Sequence, residues 1–221
     1  IRKIVIATGV VTTLAGSGLA GAVDGTGIAA SFILPYDLTT DGTNLYVADT
    51  FNNKIRQIVI ATGVVTTLVG SGLGGAVDGT GIAASFNLPN ALTSDGTNLY
   101  VADSGNNKIR QIVIATGVVS TLAGSVVQGA VDGTGTAASF TTPCGITTDG
   151  TNLYVSDTNN NKIRKIVIAT GVVTTLAGSG VAGAVDGAAL TATFKRPMGI
   201  TMAGKSLFVA DTVNNQIRQI Q

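Results

Sequence analysis

Leu45-Tyr46-Val47-Ala48-Asp49-Thr50-Phe51-Asn52-Asn53-Lys54-Ile55-Arg56 returns at Leu99 to Arg110 and at Leu153 to Arg164, and it keeps its outline from Leu207 to Arg218. The step between copies is 54 residues, and Ile1-Arg2-Lys3-Ile4 falls on the same spacing as Ile55-Arg56-Gln57-Ile58. A fixed period much longer than a hairpin identifies a repeat architecture, so every local motif must be judged as one of several copies. No insertion or deletion shifts the register. The chain therefore reads as a single domain, 1–221, of four 54-residue repeats (1–54, 55–108, 109–162 and 163–216) with a closing strand at 217–221.

Working outward from the quoted stretch, each repeat breaks into short β-prone runs. In the second copy Leu92-Thr93-Ser94 meets the turn Asp95-Gly96-Thr97-Asn98 and then Leu99 to Asp103, a hairpin pattern. Gly105-Asn106-Asn107 turns the chain into Lys108 to Ile114, and Ala115-Thr116-Gly117 turns it again into Val118 to Leu122. β-Branched residues in the runs and Gly or Asn at the bends predict four antiparallel strands per repeat. Both faces of Ile109 to Ile114 are apolar, which fits a sheet covered on two sides, as blades stacked around an axis are. The expected fold is all-β: a β-propeller of four blades, each a four-stranded antiparallel sheet, or else an open arc or segment of a larger propeller or assembly.

The stretch Leu45 to Arg56 resembles the signature of the NHL repeat, and the resemblance runs through the whole chain. Val-Val-Thr-Thr-Leu-Ala-Gly-Ser, followed by a Gly-rich segment, Asp-Gly-Thr-Gly and a Phe, resembles the long-repeat NHL proteins of bacterial envelopes and secretomes. That resemblance implies a propeller of usually six blades, whereas four copies are present. Val10 to Leu14 is expected to complete the last blade as its outer strand, although Ile1 to Ile6 and Ile217 to Ile220 then supply the same strand twice. A duplicated end strand fits a unit that pairs with further copies into rings or filaments.

Composition narrows the function. There are 13 Lys plus Arg against 12 acidic residues, all of them Asp, for a net charge of +1. A nucleic-acid partner needs a basic face that this balance does not supply. His and Glu are absent, so His-ligated zinc and His-containing nucleophilic triads are excluded, and the NHL resemblance transfers no catalytic residue. The expectation is an interaction scaffold with no enzymatic activity and no cofactor, a propeller hydrolase or lyase being the last of the alternatives. Only 11% of residues are charged, leaving Thr, Ser and Asn to solvate the surface, a composition common in secreted β-proteins; the expected location is extracellular or the cell envelope. Ile4 to Val23 is uncharged and long enough to cross a bilayer, yet Gly9, Gly16, Gly18 and Gly21 interrupt it, so no membrane insertion is expected. Cys144, the single Cys, has no intrachain partner for a disulfide.

Several motifs have structural readings that outweigh chemical ones. Gly16-Ser17-Gly18-Leu19-Ala20-Gly21 has the spacing of a dinucleotide loop but lacks the helix and second parallel strand that the fold requires. Asp24-Gly25-Thr26-Gly27 offers a calcium ion only one carboxylate; an Asx turn before an Ala-rich helical turn ending at Phe32 is expected, with Phe32, Phe86, Phe140 and Phe194 filling the gaps between blades. Asp49, Asp103, Asp157 and Asp211 each precede an Arg by seven residues, at Arg56, Arg110, Arg164 and Arg218. Four equivalent sites argue for ion pairing and turn capping rather than acid–base catalysis.

What differs between the copies is the approach to the first strand: Ile33-Leu34-Pro35-Tyr36-Asp37, Asn87-Leu88-Pro89-Asn90-Ala91, Thr141-Thr142-Pro143-Cys144-Gly145 and Lys195-Arg196-Pro197-Met198-Gly199. The first strand of a propeller blade lies nearest the axis, and side chains free to vary on a fixed frame are where specificity is built. Tyr36, Asp37, Asn90, Cys144, Lys195, Arg196 and Met198 are therefore the candidate binding residues, with Phe51, Gly105, Asn159 and Val213 a secondary set. The expected partner is a protein, a glycan or further copies of the chain.

Overall fold

A computed structural model describes residues 1–221. Apart from single 3-10 turns, every element is a strand. The first blade consists of Pro35–Thr40, Asn44–Asp49, Lys54–Val59 and Val64–Val69, each antiparallel to the next, and the following two blades repeat it at Pro89–Ala123 and Pro143–Ala177. The fourth blade has the strands Pro197–Ala203, Ser206–Asp211 and Gln216–Ile220. The four repeats thus form four antiparallel blades of a β-propeller, with the first strands neighbouring one another in sequence order.

Blades one to three contain the four expected strands and gain a fifth of two residues, because the pairs Gly25–Thr26, Gly79–Thr80 and Gly133–Thr134 in the incoming linker join the outer edge of the blade that they lead into. Ile217 to Ile220 is the third strand of blade four, as its place in the repeat implies, but Val10 to Leu14 does not complete that blade: Val11–Thr13 pairs with Arg2–Ile4 in a separate two-stranded sheet. The reason lies in packing. Ile1, Leu14 and Ala15 seat against Val47, Ile58 and Val65 of blade one, which holds this hairpin away from blade four.

The core lies between blades. Tyr46, Ala48, Ile55 and Val69 of blade one face Leu92, Leu99, Val101, Ile112 and Val119 of blade two, with Phe86 of the linker inserted among them. The same arrangement surrounds Phe140 between blades two and three. Two apolar faces on each strand are needed because each blade touches two neighbours. Ile55, Ile109 and Ile163 are fully buried for that reason, whereas Ile217, on the outer face of the last blade, is 73% exposed.

The hairpin between the first two strands explains one covariation inside the chain. Asp41, Asp95 and Asp149 each accept two backbone amides in the turn and the hydroxyl of Tyr46, Tyr100 or Tyr154. In the fourth copy the Asp is Ala203 and the Tyr is Phe208, so donor and acceptor are lost together.

Candidate functional site

The signature stretch builds a buried node at each blade. Arg56, fully buried, places Nη1 2.8 Å from Asp49 and Nη2 2.6 Å from Asp24, and donates also to the carbonyls of Ser31 and Val23. Its guanidinium lies 5.1 Å from the centre of the Phe32 ring. Arg110 and Arg164 repeat all of this on Asp103 with Asp78 and on Asp157 with Asp132, over Phe86 and Phe140. Arg218 does so with Asp211 and Asp186, over Phe194. A planar guanidinium with a fork of donors suits two carboxylates in one plane and an aromatic face above it.

Asp24 therefore plays a part that its local sequence does not suggest. Instead of closing an Asx turn, its carboxylate accepts from Arg56 and from both the amide and the hydroxyl of Thr67 on the outer strand. At Asp78 and Asp132, desolvation opposes ionisation, but hydrogen bonds from the Arg and Thr partners together with the Arg charge hold the carboxyl below its ordinary value. Burial works the other way at Asp103 and Asp157, whose carboxyls are raised despite the adjacent Arg.

The paired asparagines divide their work. Asn52 Nδ2 bridges Asp49 to the carbonyl of Gly21, fastening the node to the incoming linker. Asn53 adopts the left-handed conformation at φ 53°, and its side chain accepts the amide of Leu88 in the next blade. Thr50 donates its hydroxyl to the carbonyl of Pro89, a second tie to the following blade. In the first three copies the signature thus fixes both the chain before it and the chain after it, so its Asp, Asn and Arg side chains are engaged in holding the fold.

The variable residues occupy different ground. Tyr36, Asp37, Asn90, Cys144 and Met198 line one cavity of about 260 Å³ with Ala91, Gly145, Ile146, Gly199 and Ile200. All four first strands contribute, so this is the axial cavity. Asp37 accepts the amide of Leu92 at 2.9 Å, and burial lifts its carboxyl above the ordinary range, outweighing the amides of Leu92 and Leu38 that act against the rise. An adjoining cavity of about 340 Å³ shares Tyr36 and Asn90 and adds Phe51, Leu88, Gly105, Asn107, Gln128 and Thr142. Tyr36 and Phe51 meet edge to face at 6.3 Å on its wall.

Lys195 and Arg196 stand apart from that cavity. Both are exposed; the amide of Lys195 bonds Asp211 and that of Arg196 bonds Asn161, with Arg196 at φ 51°. They sit on the rim of blade four, just before the strand that carries Met198 into the cavity. Of the secondary set, Phe51 and Gly105 reach the adjoining cavity, Asn159 donates to Thr142 beside it, and Val213 lines neither. Gln128 escapes a reading of first-strand approaches because it lies farther back in the linker, whereas Leu88 belongs to the Asn87 to Ala91 approach.

No protein-family model matches the chain. NHL repeat-containing protein 2 of Bos taurus is 37% identical to it over 151 residues, covering 61% of this chain and 21% of that protein. A match over 61% of the chain takes in at least two of its 54-residue repeats, each with the Asp, paired Asn and Arg of the node described above. The repeats are NHL repeats. The NHL chain is also 32% identical, over 95% of its length, to suppressor of quenching 1, a chloroplastic protein of Arabidopsis thaliana, of which it covers 22%. It spans about a fifth of the length of either relative. Among solved structures, an auxiliary nutrient binding protein of Bacteroides ovatus superposes on all of the NHL chain and 58% of its own, with a TM-score of 0.70 at 19% identity. Virginiamycin B lyase of Staphylococcus aureus does so over 84% of this chain and 55% of its own, at 0.53 and 19%. At such identities these likenesses concern the propeller fold alone. No helix of the NHL chain is long and apolar enough to cross a membrane.

Proposed function

We propose that this NHL propeller is a non-enzymatic interaction scaffold, acting outside the cell or in its envelope, that seats an extended protein segment across the axial cavity and the rim beside it. The observation that carries the reading is the convergence of Tyr36, Asp37, Asn90, Cys144 and Met198 on one cavity, from positions that differ between otherwise near-identical repeats. A rigid frame with unlike side chains at one mouth is the usual construction of a recognition surface. Charges of both signs favour a polypeptide over a neutral glycan: Asp37 at the axis and Lys195 with Arg196 on the rim. The binding role of the Bacteroides neighbour is consistent with this use of the fold. The low charge and the Thr- and Asn-rich surface favour the location.

Screening a displayed-peptide library and a glycan array with the intact chain tests the proposal. A peptide signal that falls in Tyr36→Ala and in the double variant Lys195→Ala/Arg196→Ala, with unchanged thermal melts, supports it. A glycan signal without peptide binding, or peptide binding indifferent to all three residues, overturns it.

A further inference from the structure

The axial cavity contains one formal charge and nothing to neutralise it. Asp37 is the only carboxylate on its wall, and no Lys or Arg lines it. The aspartates of the nodes all meet an arginine, but Asp37 takes part in no ion pair. Its register positions in the other repeats are Ala91, Gly145 and Gly199, so the charge departs from the repeat instead of serving it. An amide from the neighbouring blade, that of Leu92, fixes one carboxylate oxygen at 2.9 Å, which orients the group at the cavity wall. A half-buried, oriented and uncompensated carboxylate is costly to maintain and strengthens any cation that reaches it.

The rest of the wall suits a cation of modest size. Tyr36 offers an aromatic face, Asn90 an amide oxygen, and Cys144 and Met198 polarisable sulfur, with Ile146 and Ile200 behind. A volume of about 260 Å³ falls below the range of roughly 300–1,000 Å³ usual for a whole small ligand, and matches a single long side chain. We infer that the axial cavity is a receptor for one positively charged group, the ammonium or guanidinium of a lysine or arginine side chain carried by the bound segment. The inference rests on the rim being a protein-binding surface and adds the charge of what enters.

Cys144 lies on the same wall and is the only thiol in the chain, so it reports on the cavity without any ligand being known. Cys144 is modified at neutral pH with a cationic trimethylammonium methanethiosulfonate and with an anionic sulfonate reagent of similar size, each rate being normalised to that of free cysteine. The cationic reagent is expected to be favoured by about tenfold, the order of one unscreened charge at short range, and the preference should vanish in Asp37→Asn. In the unaltered protein, N-acetyl-lysine amide should slow modification, whereas the same compound acetylated on its side chain should not. Equal normalised rates for both reagents, a preference that survives Asp37→Asn, or equal protection by the two lysine compounds overturns the inference. Charge selectivity without binding of any peptide would sink the scaffold reading and leave the cation receptor standing. Peptide binding without charge selectivity would do the reverse.

Discussion

Arg110 Nη1 lies 2.8 Å from Asp103 Oδ2, and neither side chain has any contact with solvent. Removing one member of such a pair leaves the other charge buried without compensation, which costs about 3–5 kcal/mol. Arg110→Ala should therefore lower the urea midpoint far more than a surface substitution does. Arg110→Lys should rescue little, since a lysine cannot serve Asp103, Asp78 and two carbonyls at once while stacking on Phe86. A Lys variant as stable as the parent would show that the fork geometry is dispensable.

Asn107 separates two contributions that its copies share. It holds φ at 56° and accepts the amide of Thr142 on the next blade. Asn107→Gly keeps the conformation and loses the hydrogen bond, at about 1 kcal/mol. Asn107→Ala loses the bond and adds about 1–2 kcal/mol of left-handed strain. Thermal melts should rank parent, Gly and Ala in that order, and an Ala variant above Gly would refute the assignment.

Gly145 and Gly199 occupy the same register position yet should respond oppositely to one methyl group. A Cβ on Gly145 would collide with the carbonyl oxygen of Met198, so Gly145→Ala must push blades three and four apart. The expected loss is about 1–3 kcal/mol, the ordinary cost of overpacking. A Cβ on Gly199 meets only the Ala210 Cβ, at 3.7 Å, an ordinary contact. Gly199→Ala should leave the urea midpoint within experimental error.

The pH dependence of stability follows from the turn carboxylates. Hydrogen bonds from Asn152, Thr151 and Tyr154 outweigh desolvation and bring Asp149 from 3.8 to about 2, and Asp41 and Asp95 are lowered by the equivalent bonds. A folded value below the unfolded one means that this contribution is complete above the unfolded value and is lost as the pH falls through the folded one. Stability should thus decline as the pH falls from about 4 to about 2. With no His in the chain, the Ile1 amine is the group left near neutrality: burial lowers it from 8.0, so stability should rise slightly as the pH climbs toward about 8. Urea midpoints measured across that span check both halves, and a fall in stability between about pH 6 and 8 would contradict the account.

The blades were legible because their signals are local. The period, the Asp-to-Arg spacing and the Gly or Asn at each bend all act within one hairpin or its neighbour. Asp24 was not legible as an arginine ligand, since Arg56 lies 32 residues away and nothing between them marks the approach. Gly25–Thr26 carries no alternation, so a two-residue strand leaves no trace in the pattern. The axial cavity was partly legible: differences on a constant frame marked Tyr36, Asp37, Asn90, Cys144 and Met198. Lys195 and Arg196 belong to the same varying approach in the sequence, and the left-handed turn at Arg196 before Pro197 is what parts them from the cavity.

Gly25–Thr26 lies along Val64 and Val65, hydrogen-bonded to the outermost full strand of blade one, and Gly79–Thr80 and Gly133–Thr134 do the same on blades two and three. A bare outer margin there would offer amides and carbonyls to any stray β-segment, the first step toward amyloid-like stacking. Each incoming linker occupies the start of that margin, so a sparsely charged, valine-rich particle gains resistance to lateral clumping from a strand of one glycine and one threonine.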